Sequence, residues 1–493
     1  MKNLNIKLGL IASVITATFL MSCSDDFVDV DPTNENSEDY FNSEEDYQLA
    51  LVGAYDLLQA TYLNVMVGEI ASDNTLAGGE SATDTPGIQE IDNMTHGTIN
   101  QQLRDIWGWM FSGVNRANYI LEFQDKTDFN GKEQVIAQAR FLRAYYYFEL
   151  VKWFGDVPLA VDQRLLFGDQ FNAERTPKAE VYNQIELDLI FAAETLPATQ
   201  AENGRITSGA ARALLGKAYL YQNKFTEAAA AFDLVIAGPY DLVTDYSTIF
   251  EQEGENNVES VFEVQYTDKE GAGFGCLQCS EGNVAVGFNG IRNYSGPQFD
   301  SGFSFNVPVQ EVYEAFEPGD SRRDVAILNI VEFAAANGAT YNEGFEHTGF
   351  YNKKYIARKG DANIGDAALT NPNNYRSIRF ADVLLMAAEA HNRKATPNDA
   401  LAQEYLNRVR RRAFGDTNHD ITATGAALTD FIYDERRLEL VGEGHRFFDL
   451  VRTGRAAQNI PGFTTGKNEL FPIPAIEIQL AGNRWEQNQG YTN

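Results

Sequence analysis

The chain has 493 residues, of which 44% are hydrophobic, enough for one large domain or two smaller ones with a sizeable core. Its 70 Asp and Glu against 39 Lys and Arg leave a formal charge of −31. That balance argues against nucleic acid as a partner, because phosphate binding needs basic patches, and it weighs against an anionic polymer, which the field of the protein would repel.

Only three cysteines occur, Cys23, Cys276 and Cys279, so this is not a disulfide-built scaffold. The five histidines are scattered, with no HExxH and no pair at metal-ligand spacing, so neither a metal site nor a cofactor is expected.

At the start, Lys2 and Lys7 precede about fourteen mostly apolar residues, Leu8 to Met21, too few for a stable membrane-spanning helix. Residues 1–22 are expected to be a signal peptide. Leu20-Met21-Ser22-Cys23 resembles a bacterial lipobox, which makes Cys23 the lipidated first residue of the mature chain. Ser24, Asp25 and Asp26 resemble the export signal of surface lipoproteins in Bacteroidetes-type bacteria. Residues 23–38 read as a lipidated flexible tether, polar and acidic around Pro32. Residues 39–493 are expected to form a single domain, with a loop-rich binding region over about 240–375. No second apolar run of membrane-spanning length follows, so the lipid is expected to be the only anchor.

Helical periodicity dominates that domain. Trp107, Phe111, Val114 and Asn118 share one face of a helix over about 100–123. Residues 134–154 form another, stopped by Gly155 and Pro158. The pattern predicts further helices over 177–195, 207–222, 225–237, 375–394, 398–413 and 428–441, with a weakly alternating strand at 258–265. Leu215-Gly216, Tyr219, Ala228, Phe232 and Pro239 match tetratricopeptide spacing, which implies a helical repeat scaffold. Between about 268 and 306 the texture turns rich in glycine and aromatics, with Phe274, Phe288, Tyr294, Phe299, Phe303 and Phe305. A long loop of this kind inside a helical protein is a candidate binding surface. A second such patch runs over 341–355.

Several residues invite two readings. Trp109 lies about 200° around its helix from the apolar Trp107, and an exposed indole would suit a pyranose face. Asp73 and Asn74, ahead of Gly78-Gly79, are either ligand contacts, through bidentate bonds to sugar hydroxyls, or part of a helix cap and glycine turn. Glu439, Glu443 and His445 could pass for acid/base machinery. Arg436, Arg437, Arg446 and Arg452 beside them favour a structural ion-pair network instead. Arg140, Arg143, Tyr145 and Trp153 read as core and inter-helix contacts. Cys276-x-x-Cys279 reads either as a local disulfide that would stiffen the aromatic loop, the favoured state on an exported protein, or as two free thiols; without a second pair it is weak as a zinc site.

Four blocks resemble the SusD/RagB family. They are Arg140 through Pro158; Arg379 through Ala390; Glu435 through Arg452; and Phe471 to Pro474 with Glu477 and the closing Gly490-Tyr491. With Trp107 to Asn118 and the lipobox, the resemblance runs in order along nearly the whole chain. It implies a mainly α fold: a SusD-like scaffold of tetratricopeptide-like helix pairs with an irregular, loop-rich ligand-binding half. It implies no catalysis, a lipid-anchored place on the outer-membrane surface, and a SusC-like TonB-dependent barrel as partner.

The expected function is capture of an oligo- or polysaccharide, neutral by the charge argument, by Asp73, Asn74, Trp109, Phe274, Phe288, Tyr294 and Phe303. The loop from Glu80 to Thr98 carries no Phe, Tyr or Trp, a departure from relatives that place a stacking ring there. Two other classes compete: an all-α glycoside hydrolase or lyase, and a peptide-binding helical repeat.

Overall fold

The computed structural model describes residues 40–166, 168–269, 273–361 and 368–492. The signal peptide, Cys23 and the tether lie outside the described residues.

Local sequence sets the helix ends. At α1 (Glu44–Asp56) the Ser43 hydroxyl accepts from Asp46 N while the Asp46 carboxylate accepts from Ser43 N, a reciprocal cap. The chain continues through α2 (Tyr62–Ile70), strand β1 (Thr75–Gly78) and α3 (Pro86–Asp92). Asn100 then caps α4 (Gln101–Glu122) by accepting from Leu103 N. Next come α5 (Lys132–Phe154), α6 (Lys178–Thr195), α7 (Ser208–Tyr221) and α8 (Phe225–Ile236), and from α4 onward each helix packs on the next.

Helix α5 is buried on almost every side. Tyr145 and Trp153 are core residues, and the Arg140 guanidinium lies 4.2 Å from the Phe191 ring centroid. Arg143, buried, donates to both Asp188 oxygens at 2.7 Å and to Asn118 Oδ1 at 2.9 Å, so its charge is paired and hydrogen-bonded. The tetratricopeptide spacing is realised by α7 and α8. A Cβ added at Gly216 would stand 2.5 Å from the Phe232 ring, so the small residue sets the helix separation.

Among the described residues the sheets are two-stranded. Strand β2 (Ser260–Val264) belongs to one; β3 (Phe305–Pro308) lies antiparallel to β1 with Leu76 opposite Val307; β4 (Ile327–Asn329) pairs with β5 (Phe350–Asn352). The partner of β2 is β6 (Tyr375–Arg379), which corrects the helix expected over 375–394. All five β6 residues are buried, so no alternation of apolar and polar residues marks the strand, and a partner more than a hundred residues earlier decides it. Helix α9 starts only at Phe380 (Phe380–Arg393) and is followed by α10 (Asp399–Phe414), α11 (Gly425–Glu439) and α12 (Arg446–Arg452). Helix α9 packs on α8, α10 and α11, extending the helical array.

The main core draws residues from Phe41 to Trp485, and a separate cluster including Ile291, Tyr294, Phe299, Val307 and Tyr351 sits in the loop-rich half.

The acidic residues of the Glu435–Arg452 block are structural, and most of their partners come from elsewhere. Glu439 meets Arg379 at 2.8 Å, Arg412 at 2.7 Å and Arg322 at 2.9 Å; Glu443 meets Lys354 at 2.6 Å and Arg379 at 2.8 Å. Burial raises the Glu439 carboxyl, but Arg412, Arg379 and Arg322 outweigh it and hold the group well below the usual carboxylate range. Arg436 spans Asp382 and Asp449, and Arg452 spans Glu389 and Asp449. His445 is buried, and that desolvation beside Lys217 lowers its pKa to about 3, which leaves the imidazole neutral.

Candidate glycan-binding site

Two stretches far apart in sequence wall a pocket of about 320 Å³. Helix α2 supplies Tyr62, Leu63 and Met66 at its base. After β1, Gly78 and Gly79 turn the chain with φ of +70° and +100°. A Cβ on Gly78 would lie 2.2 Å from Ser304 O, so only glycine fits there. The turn delivers Glu80 and Asp84 to the rim, and Pro86 then starts α3, whose Ile88 faces inward. One stripe of α4, spaced three and four residues apart, adds Gln102, Asp105 and Trp109.

The opposite wall comes from the glycine-rich half: Phe274, Leu277, Phe288, Arg292, Phe303 and Phe305. Phe303 packs against Phe274 and Phe288, each with ring centroids 5.7 Å away, and Phe288 lies 5.4 Å from Phe305. Phe288 and Phe305 are buried and form the floor. Phe274 is 59% exposed and forms the lip. Trp109 is half-buried, tilted 42° against Tyr62 at 6.1 Å. The disulfide between Cys276 and Cys279 brackets Leu277 on this wall.

Polar groups gather at the rim. Arg292 donates through Nε to Ser304 Oγ at 3.0 Å and through Nη2 to Phe303 O at 2.7 Å, with the carboxylates of Asp84 and Glu80 3.5 and 3.6 Å away. Burial pushes the Asp105 carboxyl above its ordinary value, against the hydrogen bond from Gln101. Apolar ring faces beside carboxylate, amide and guanidinium groups suit a polyhydroxylated ligand with one apolar face.

Of the residues singled out from sequence, Trp109, Phe274, Phe288 and Phe303 meet here. Three others do not. Tyr294 is in the second core cluster, its hydroxyl donating to Pro297 O at 2.6 Å and its ring 6.3 Å from Phe299. Asn74 is fully buried, accepting from Arg437 Nε at 2.8 Å and donating to Glu69 Oε1 at 3.1 Å. Asp73 accepts from Arg446 at 2.7 and 2.8 Å; burial would raise it, but Arg446 and Arg437 hold it below the usual range. For Asp73 and Asn74 the structural reading replaces ligand contact, since their acceptors and donors are spent on the scaffold. Sequence reasoning missed Tyr62, Glu80, Asp84, Gln102, Asp105 and Arg292. The spacing of Gln102, Asp105 and Trp109 was the one available signal.

A family model described as the SusD family matches residues 251–470, and one described as starch-binding and associating with the outer membrane matches residues 26–220. A SusD-like protein of Formosa agariphila is 27% identical over 98% of this chain and 99% of its own length. Among solved structures, a laminarin-binding SusD-like protein superposes with a TM-score of 0.82 at 35% identity, covering 92% of this chain and all of that one. Surface glycan-binding protein A from Bacteroides thetaiotaomicron, in complex with laminarihexaose, gives a TM-score of 0.79 at 29% identity over 90% of this chain and 99% of that one. No helix among the described residues is long and apolar enough to cross a membrane.

Proposed function

Since this chain belongs to the SusD/RagB family, we propose that it is a surface glycan-binding protein that captures a neutral glucan of the laminarin type in the pocket between Trp109 and Phe274. The observation that carries the reading is the meeting of half-exposed rings (Trp109, Phe274, Phe303) with polar groups (Glu80, Gln102, Asp105, Arg292) around one cavity. Pyranose rings offer an apolar C–H face and an equatorial belt of hydroxyls, the two features this lining complements. At about 320 Å³ the cavity is at the small end of ligand pockets, which suits a short stretch of a polysaccharide rather than the bulk of it.

The chain works by capture and release and not by bond cleavage, as the relatives named as binding proteins suggest. The carboxylates that could pass for a glycosidase pair are neutralised inside the Arg379–Arg412 network, which supports this reading over the hydrolase alternative. Delivery to a SusC-like TonB-dependent barrel and anchorage through Cys23 at the outer-membrane surface complete the proposal, supported by family membership and by the lipobox pattern.

Calorimetric titration of the purified chain with laminarin and with unrelated neutral glucans tests the site. Binding to laminarin that W109A and F274A each weaken, with no new reducing ends, is the expected result. Laminarin binding untouched by both substitutions would move the site elsewhere. For the anchor, C23A should release the chain from the membrane fraction, and a barrel partner should co-purify with the anchored form.

A further inference from the structure

Resting on the pocket as the glycan site, we infer that Glu80 and Asp84 make it selective against acidic glycans. Among the described residues, three carboxylates line the cavity, Glu80, Asp84 and Asp105, against a single cation, Arg292. That guanidinium is committed to the protein: Nε and Nη2 donate to Ser304 Oγ and Phe303 O, and both rim carboxylates lie within 3.6 Å of it. Asp84 is further fixed by Glu80 N, which donates to its Oδ2 at 2.8 Å. The Glu80 side chain is 76% exposed at the mouth, so an entering ligand meets its charge first. Arg104, the cation that acts on Asp105, is not among the lining residues.

A hydroxyl can donate to any of these carboxylates. A sulfate or carboxylate on the sugar can only oppose them, and no uncommitted cation among the described lining residues compensates. Juxtaposed like charges are an effective way to reject a wrong partner. The net charge of the whole chain is a separate matter. At about 0.15 M salt, charges farther than roughly 8 Å away are largely screened, so groups on the rim decide.

Titration of the full chain with laminarin and with sulfated laminarin, the same backbone with and without charge, tests this at physiological salt. The sulfated form is expected to bind at least ~10-fold more weakly, with E80Q/D84N closing that gap by at least ~3-fold. If D84N misfolds, E80Q alone serves, because its side chain is largely in solvent and should still narrow the gap. Equal affinity for the two forms, or a gap that neither variant narrows, would overturn the inference while leaving the site intact. Failure of both forms to bind the unmodified protein would overturn the reading of the pocket and this inference with it.

Discussion

The ring of Phe274 is 5.7 Å from that of Phe303, tilted by 57°, and yet 59% of Phe274 stays in solvent. A large apolar side chain that stays mostly in solvent contributes little to the core and is free to contact a ligand. F274A should therefore weaken glucan binding by about 1–2 kcal/mol, roughly 5- to 30-fold, while the melting temperature changes little. Calorimetry and a thermal melt on the same preparation check both halves.

The disulfide between Cys276 and Cys279 restricts the segment that holds Leu277 and follows Phe274. Opening it adds conformations that must be frozen when the glycan docks, at a cost of about 0.5–1.5 kcal/mol for each mobile side chain ordered. C276S/C279S should lower affinity about 2- to 10-fold, chiefly through faster dissociation. In the F274A background the same double substitution should have a smaller effect, because one of the side chains it helps to position is gone. Dissociation rates measured on immobilised laminarin give the comparison.

Glu439 is buried among Arg322, Arg379 and Arg412, which keep it ionised against the desolvation that burial imposes. A carboxyl whose folded pKa is depressed contributes stability above its unfolded value of about 4.3, and that contribution is lost as the pH falls towards the folded pKa. E439Q should destabilise the chain by about 3–5 kcal/mol at neutral pH, because it leaves buried guanidinium charge uncompensated. The deficit should shrink below pH ~4, as the carboxyl of the unfolded chain takes up its proton while the folded one stays ionised. Thermal melts of both proteins from pH 3 to pH 8 would show it, and a deficit constant across that range would contradict the assignment.

Asp92 has the opposite sign. Its carboxyl accepts from Ala77 N at 3.0 Å, but burial, and to a lesser degree Glu346, raise its pKa to about 7. Since the folded value is raised above the unfolded value of about 3.9, the folded state binds the proton more tightly, and stability falls as pH rises from about 4 to 7. D92N keeps an acceptor for Ala77 N and removes the charge. It should raise the melting temperature by a few degrees at pH 8 and leave it nearly unchanged at pH 4, as a pH series of melts would reveal.

Much of the scaffold was readable before folding. The helix expected at about 100–123 spans Gln101–Glu122, and the spacing of Gly216 and Phe232 placed two helices in contact. Both signals are local, set by a 3.6-residue period and by one small residue opposite a ring. Tyr375–Arg379 failed for the complementary reason: its strand exists only because Ser260–Val264 pairs with it. Aromatics between glycines likewise marked a region and not a role. Phe274 and Phe303 reached the pocket while Tyr294 and Phe299 joined a core cluster, and nothing within the loop distinguishes the two fates.

The sequence by itself determined the helical repeat, the charge balance, the bonding capacity of the cysteine pair and the family signature, because each depends on residue type and short spacing. Tertiary structure alone decided which charged groups are spent on the scaffold. Asp73 and Asn74 stood out in the sequence as ligand candidates and Glu80 and Asp84 did not, yet Arg437 and Arg446 claim the first pair while the second lines the rim. A polar side chain binds whatever partner comes within about 3 Å, and that partner is chosen by chain segments hundreds of residues away.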